Sequence, residues 1–175
     1  MAGTNGSLTP RRRVYAGYEG KPDPSERDRI VHLFQAYRST ESFNAHFLTR
    51  WAEATTNEGM KGGLRTIQAR EGAHAQLLRQ RLRELGEKTI IDVPPERYER
   101  DVPFFASPDH SDLEKLVFLG HLFEDLDDFF QPITDQIAEI REDFRSREIL
   151  RTILDDEYAT VKWFAHMQRS LEASS

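Results

Sequence analysis

Glu71 and His74 stand three residues apart in the stretch AREGAHAQLL, residues 69–78, whose remaining pattern is that of an amphipathic helix. In a helix, that spacing puts a carboxylate and an imidazole on one face a single turn apart. Such a pair of donors is suited to a hard or borderline metal ion held between helices. The chain has no cysteine, so disulfides, thiolate zinc sites, iron–sulfur clusters and a cysteine nucleophile are excluded. Any metal must therefore be held by histidine and carboxylate oxygen.

Four helical segments are needed to position these donors. Ser25, after Asp23-Pro24, opens a first helix that runs to about Thr56 and closes at Asn57-Glu58-Gly59. A second runs from about Met60 to Leu85 and stops at Gly86, the expected left-handed cap. The long link EKTIIDVPPERYERDVPFFASPDH reads as a crossover, and its TIIDV is the only short β-branched run. A third helix opens with the capping box Ser111-Asp112-Leu113-Glu114 and continues to about Asp143, with Pro132 as a kink. The fourth spans about Ser146 to Leu171. The pattern predicts an all-α, antiparallel four-helix bundle over residues 25–173, made of two helical hairpins joined by a long crossover and preceded by a flexible arm over residues 1–24.

At about 100° per residue, Glu41 falls within the stripe of Ile30, Leu33, Phe34, Tyr37, Leu48 and Ala52. Glu71 lies within about 20° of the centre of the second helix's apolar face, with His74 about 40° to its other side, whereas Arg65, Arg70, Arg79 and Arg83 point elsewhere. Glu157 sits at the centre of the fourth helix's stripe, and Thr160 occupies the place equivalent to His74. In the third helix the angle favours Asp127, while the longer side chain favours Glu124. A single acid on such a face is ordinary in a chain that is 31% charged, where it snorkels or pairs with an arginine. Acids at mid-height in several helices are different, because burying them without a counter-charge costs on the order of several kcal/mol per ion. A shared cation resolves that cost.

The series Glu41, Glu71-Gly-Ala-His74, Glu124, Glu157 resembles the ferritin-like superfamily, as in rubrerythrins, bacterioferritins and ferritins. LTRWAEATTNEGMKGGLRTIQAREGAHAQLLRQRLRELGE is similar to the first hairpin of that superfamily, including the Leu-Gly stop. The resemblance spans residues 25 to 171, with its motif detail in the first two helices. It implies a carboxylate-bridged di-iron site in which Glu71 bridges, Glu41 and His74 hold one iron, and Glu157 and Glu124 hold the other. Manganese or zinc would also suit such donors. The family pattern favours Glu124 over Asp127 as the third-helix ligand. The chain departs from the symmetric pattern at Thr160, where the second imidazole would stand; His121, one turn before Glu124, lies on the flank.

The expected activity is oxidase, ferroxidase or another reaction dependent on dioxygen or peroxide at the metal. Tyr37 and Tyr158 are placed to carry electrons or protons but read first as packing residues, and Asn44 and Asp156 are candidates to hydrogen-bond the ligands. His46 points away from the stripe. Rival expectations are a metal-free bundle that acts as a scaffold, its acids partnered by arginine, and iron storage in a closed shell. Phe129, Phe130 and Trp163 suggest a homodimer face. A net charge of −6 and the lack of basic and aromatic interleaving argue against nucleic acid. No apolar run of about 18 residues suggests a membrane span or leader, so the chain reads as cytoplasmic. GMKGG at 59–63 lacks the preceding strand of a phosphate loop, and no nucleophile-elbow text occurs.

Overall fold

The computed structural model describes residues 25–88, 91–122 and 126–174. Six α-helices and no strand occur among them: α1 Glu26–Ala54, α2 Glu58–Glu84, α3 Pro95–Ala106, α4 Asp112–Leu122, α5 Leu126–Ala138 and α6 Phe144–Glu172. The expected arm at 1–24 and Glu124 lie outside the described residues.

Local chemistry sets most helix ends. Ser25 Oγ accepts from the Asp28 amide at the start of α1, and Asn57 Oδ1 accepts from the Met60 amide at the start of α2. Gly86, just beyond α2, has φ 86°, the left-handed cap that the Leu-Gly text requires. At α4 the capping box forms in full. The Glu114 amide donates to Ser111 Oγ (3.2 Å), while Glu114 Oε2 accepts from the Ser111 amide (2.7 Å).

Two expectations about elements need correction. The link between the second and third expected helices contains α3, opened by Pro94 and Pro95 at its N-cap and first turn, positions where proline costs no hydrogen bond. It buries Val102 and Phe105 against the chain, and α3 packs on α1. The helical pattern expected to continue to Asp143 stops at Ala138 in α5. There the Glu26 carboxylate, from the first turn of α1, accepts from the amides of Arg141 (2.8 Å), Glu142 (3.0 Å) and Asp143 (2.9 Å). That side chain replaces the hydrogen bonds a continued helix would have made. Pro132 is accommodated inside α5.

α1 packs along α2, and α6 packs against α2, α4 and α5. Their apolar residues form two clusters. One holds Phe47, Trp51 and Leu64 with Phe105, Leu116 and Phe164. The other holds Phe34, Leu78 and Leu82 with Ile137, Leu150 and Ile153. On each of α1, α2 and α6 the two clusters are separated by a short polar interval that contains Glu41, Glu71 with His74, and Glu157, respectively. At Gly63, α2 approaches α6 so closely that an added Cβ would lie 1.9 Å from the Trp163 ring.

Phe130 is 1% exposed and stacks at 4.1 Å on Tyr158, and Trp163 is half-buried against Gly63. Of the three aromatics expected on a dimer face, Phe129 alone is exposed. No described helix is long and apolar enough to cross a membrane.

Candidate metal centre

Each helix supplies its donor from the middle of a long, well-buried run, where backbone position is set by apolar neighbours on either side. Glu41 (2% exposed) comes from α1, Glu71 (1%) and His74 (6%) from α2, and the half-buried Glu157 from α6. One ligand atom from each lies within 4.8 Å of all the others. Bonds of about 2.1 Å around one ion place its farthest ligands about 4.2 Å apart, so small side-chain adjustments would let these four close on a cation. Glu71 Oε1 and Glu157 Oε1 are buried, and no amide, hydroxyl or basic group donates to them. Buried carboxylates are rarely left without such a donor, and carboxyl groups that face one another beside an imidazole are a donor set that fits a metal.

The surrounding hydrogen bonds orient the donors. Asn44 Nδ2 donates to Glu71 Oε2 at 3.1 Å. His74 Nε2 lies 3.0 Å from Asp156 Oδ2, and His74 Nδ1 lies 3.3 Å from Glu41 Oε2. With Nε2 against the Asp156 carboxyl, Nδ1 is the ring nitrogen turned toward Glu41 and the carboxylate group. Nδ1 is thus the nitrogen available for a metal.

Electrostatically the cluster is crowded. Burial pushes the Glu41 carboxyl up to about 10, reinforced by the neighbouring Glu71 carboxylate and opposed by the Arg70 guanidinium. Glu157 is pushed up to about 10 for the same reasons: burial first, then Glu71 and Glu41. Without a cation these two carboxyls are held in their protonated form at neutral pH. Protonated, Glu41 and Glu157 each hydrogen-bond to the Glu71 carboxylate.

Arg70 is the functional side chain that helical angle missed. Its backbone position points away from the stripe, yet the long side chain turns back between α2 and α6. There Nη2 donates to Thr160 Oγ1, and Nη1 lies 3.4 Å from Asp156 Oδ1. Adjacent arginines on a helix of this polarity carry no signal that singles one out; the signal was Thr160, a small hydroxyl where an imidazole was expected.

Of the expected ligands, the structure brings together Glu41, Glu71, His74 and Glu157. Asp127 is exposed on α5 and does not join them, and His121 is exposed at the end of α4. Tyr37 and Tyr158 are half-buried packing residues, and His46 is exposed with its ring 5.2 Å from that of Tyr98.

A cleft of about 970 Å³ is bordered by Asn44, Glu71 and Thr160 and by the rings of Phe47, Phe105 and Phe164. Its wall also carries Glu96, Arg97, Arg100 and Asp101, and of the clustered acids it reaches Glu71. Comparison with protein-family models, curated proteins and solved structures finds no match to this chain.

Proposed function

We propose that the chain is a metal-binding helical protein, built as an antiparallel four-helix bundle of ferritin-like type, that performs redox chemistry on a small oxidant such as dioxygen or peroxide. The single observation that carries the reading is the convergence of four donors from three helices, three of them acids that face one another with no basic group donating to Glu71 Oε1 or Glu157 Oε1. Glu41, Glu71, His74 and Glu157 would hold the ion, with iron or manganese favoured by carboxylate-rich ligation. A bound ion of this kind supplies Lewis acidity or electron transfer.

The chain's own residues would do three things. Asp156 holds His74 in the ring orientation whose Nδ1 faces the carboxylates. Asn44 fixes the rotamer of Glu71 through Oε2, leaving Oε1 turned into the site. The cleft leaves a route by which a small reactant reaches Glu71. Because Glu41 and Glu157 hold protons in the free protein, binding of a cation must expel them.

A second reading is favoured by Arg70. A guanidinium placed near Glu41, Glu157 and Asp156 is the internal counter-charge expected of a metal-free scaffold. Protein purified without chelators and titrated with Fe(II) under air separates the two. Stoichiometric binding that is lost in Glu71→Ala supports the metal reading. Absence of binding in both proteins leaves the scaffold.

A further inference from the structure

We infer, resting on the metal reading above, that the site takes a single divalent cation and that the Arg70 guanidinium is a built-in second positive charge, standing where a paired site would hold its second ion. α2 and α6 make the comparison within the chain itself. Each offers a glutamate at the polar interval, Glu71 or Glu157, and the residue one turn later is His74 on α2 and Thr160 on α6. His74 is a nitrogen donor that meets Glu41. Thr160 is a buried hydroxyl whose oxygen is already taken by Arg70 Nη2. A hydroxyl accepting a charged hydrogen bond is a poor ligand, and a guanidinium cannot give up its proton to make room.

Geometry and charge agree. Among the described residues, four ligand atoms within 4.8 Å suit one ion; a second ion about 3.5 to 4 Å away needs a further donor, and the place where α6 would offer one is held by Thr160 and Arg70. Ionised, Glu41, Glu71, Asp156 and Glu157 carry four negative charges, of which Arg70 offsets one. One divalent cation leaves these acids and Arg70 with a single negative charge. A second would leave the group, Arg70 included, with one net positive charge, and the guanidinium beside it repels that ion.

Arg70 is also a positioning residue. Its two nitrogens span Thr160 and Asp156, and Asp156 holds His74 Nε2. The guanidinium thereby joins α2 to α6 and fixes the imidazole that the single ion would use.

The test is the stoichiometry and spectrum of Mn(II) added to metal-free full-length protein, read by calorimetry and electron paramagnetic resonance. The wild type is expected to bind one Mn(II) per chain with the signal of an isolated ion. Arg70→Ala/Thr160→His is expected to bind two, with spin coupling between them. Two coupled ions in the wild type would overturn the inference and leave the metal reading standing. A folded double variant that still binds one ion would also overturn it. If the double variant does not fold, Arg70→Met takes its place: a second, weaker Mn(II) step supports the inference and its absence refutes it. No binding by the wild type would remove the metal reading and this inference together.

Discussion

At the scale of single residues, Glu41 and Glu157 determine how the free protein responds to pH. Both carboxyls are raised from 4.5 to about 10 by burial and by the Glu71 carboxylate. A raised carboxyl binds its proton more tightly in the folded chain, so its contribution is fully present below about pH 4.5 and is lost as the pH rises toward 10. The metal-free wild type should therefore lose stability relative to Glu41→Gln/Glu157→Gln as the pH is raised from 5 to 9, in paired thermal melts; a constant difference would contradict the assignment. Asp156→Asn should weaken Mn(II) binding by about 10- to 100-fold, because the amide is an uncharged acceptor and can instead turn its NH2 toward His74 Nε2. Glu71→Gln should abolish binding yet melt higher than the metal-free wild type, since it removes a buried charge among acids. A merely structural Glu71 would give a lower melting temperature. The four clustered donors were legible in the sequence because helical angle tracks backbone position. Arg70 was not, because a long side chain can reach back across the face its backbone avoids.

Individual helices carry a different kind of prediction. Gly63 of α2 meets Trp163 of α6, where a Cβ would lie 1.9 Å from the ring, while nothing lies within 4 Å of a Cβ at the adjacent Gly62. Gly63→Ala should destabilise by about 1–3 kcal/mol through overpacking. Gly62→Ala should stabilise by up to about 1 kcal/mol through helix propensity. Urea denaturation of the two variants checks both, and equal effects would mean that α2 and α6 do not pack as described. The caps at Ser25, Asn57, Ser111 and Gly86 were readable because they are local chemistry. The stop of α5 at Ala138 was not, since the group that replaces its helical hydrogen bonds is Glu26, from the opposite end of the chain. α3 was hidden for another reason: its prolines suggested a loop, but Pro94 and Pro95 sit where a helix starts.

Across the whole molecule, a polar interval on α1, α2 and α6 divides two apolar clusters. The clusters hold the three helices from both sides, and the acids between them are tolerated at a cost in the free protein. A ligand that binds only the folded chain stabilises it by about 2.7 kcal/mol at 100 times its Kd. Saturating Mn(II) should therefore raise the melting temperature of the wild type and leave Glu71→Gln unchanged. All-helical structure and the polar level within it were visible from apolar periodicity. The pairing of Arg70 with Thr160 and the anchoring of the crossover were not. The latter depends on buried Arg38, which reaches the Ile91 carbonyl and Asp92, and on Gln35, which accepts from the Ile91 amide. Such contacts between distant residues leave no periodic trace. The most direct test of the central claim is the metal content of wild type and Glu71→Ala purified without chelators. The account predicts close to one divalent transition-metal ion per wild-type chain and a trace in the variant; a trace in both, unchanged on titration with Fe(II) or Mn(II), would contradict it.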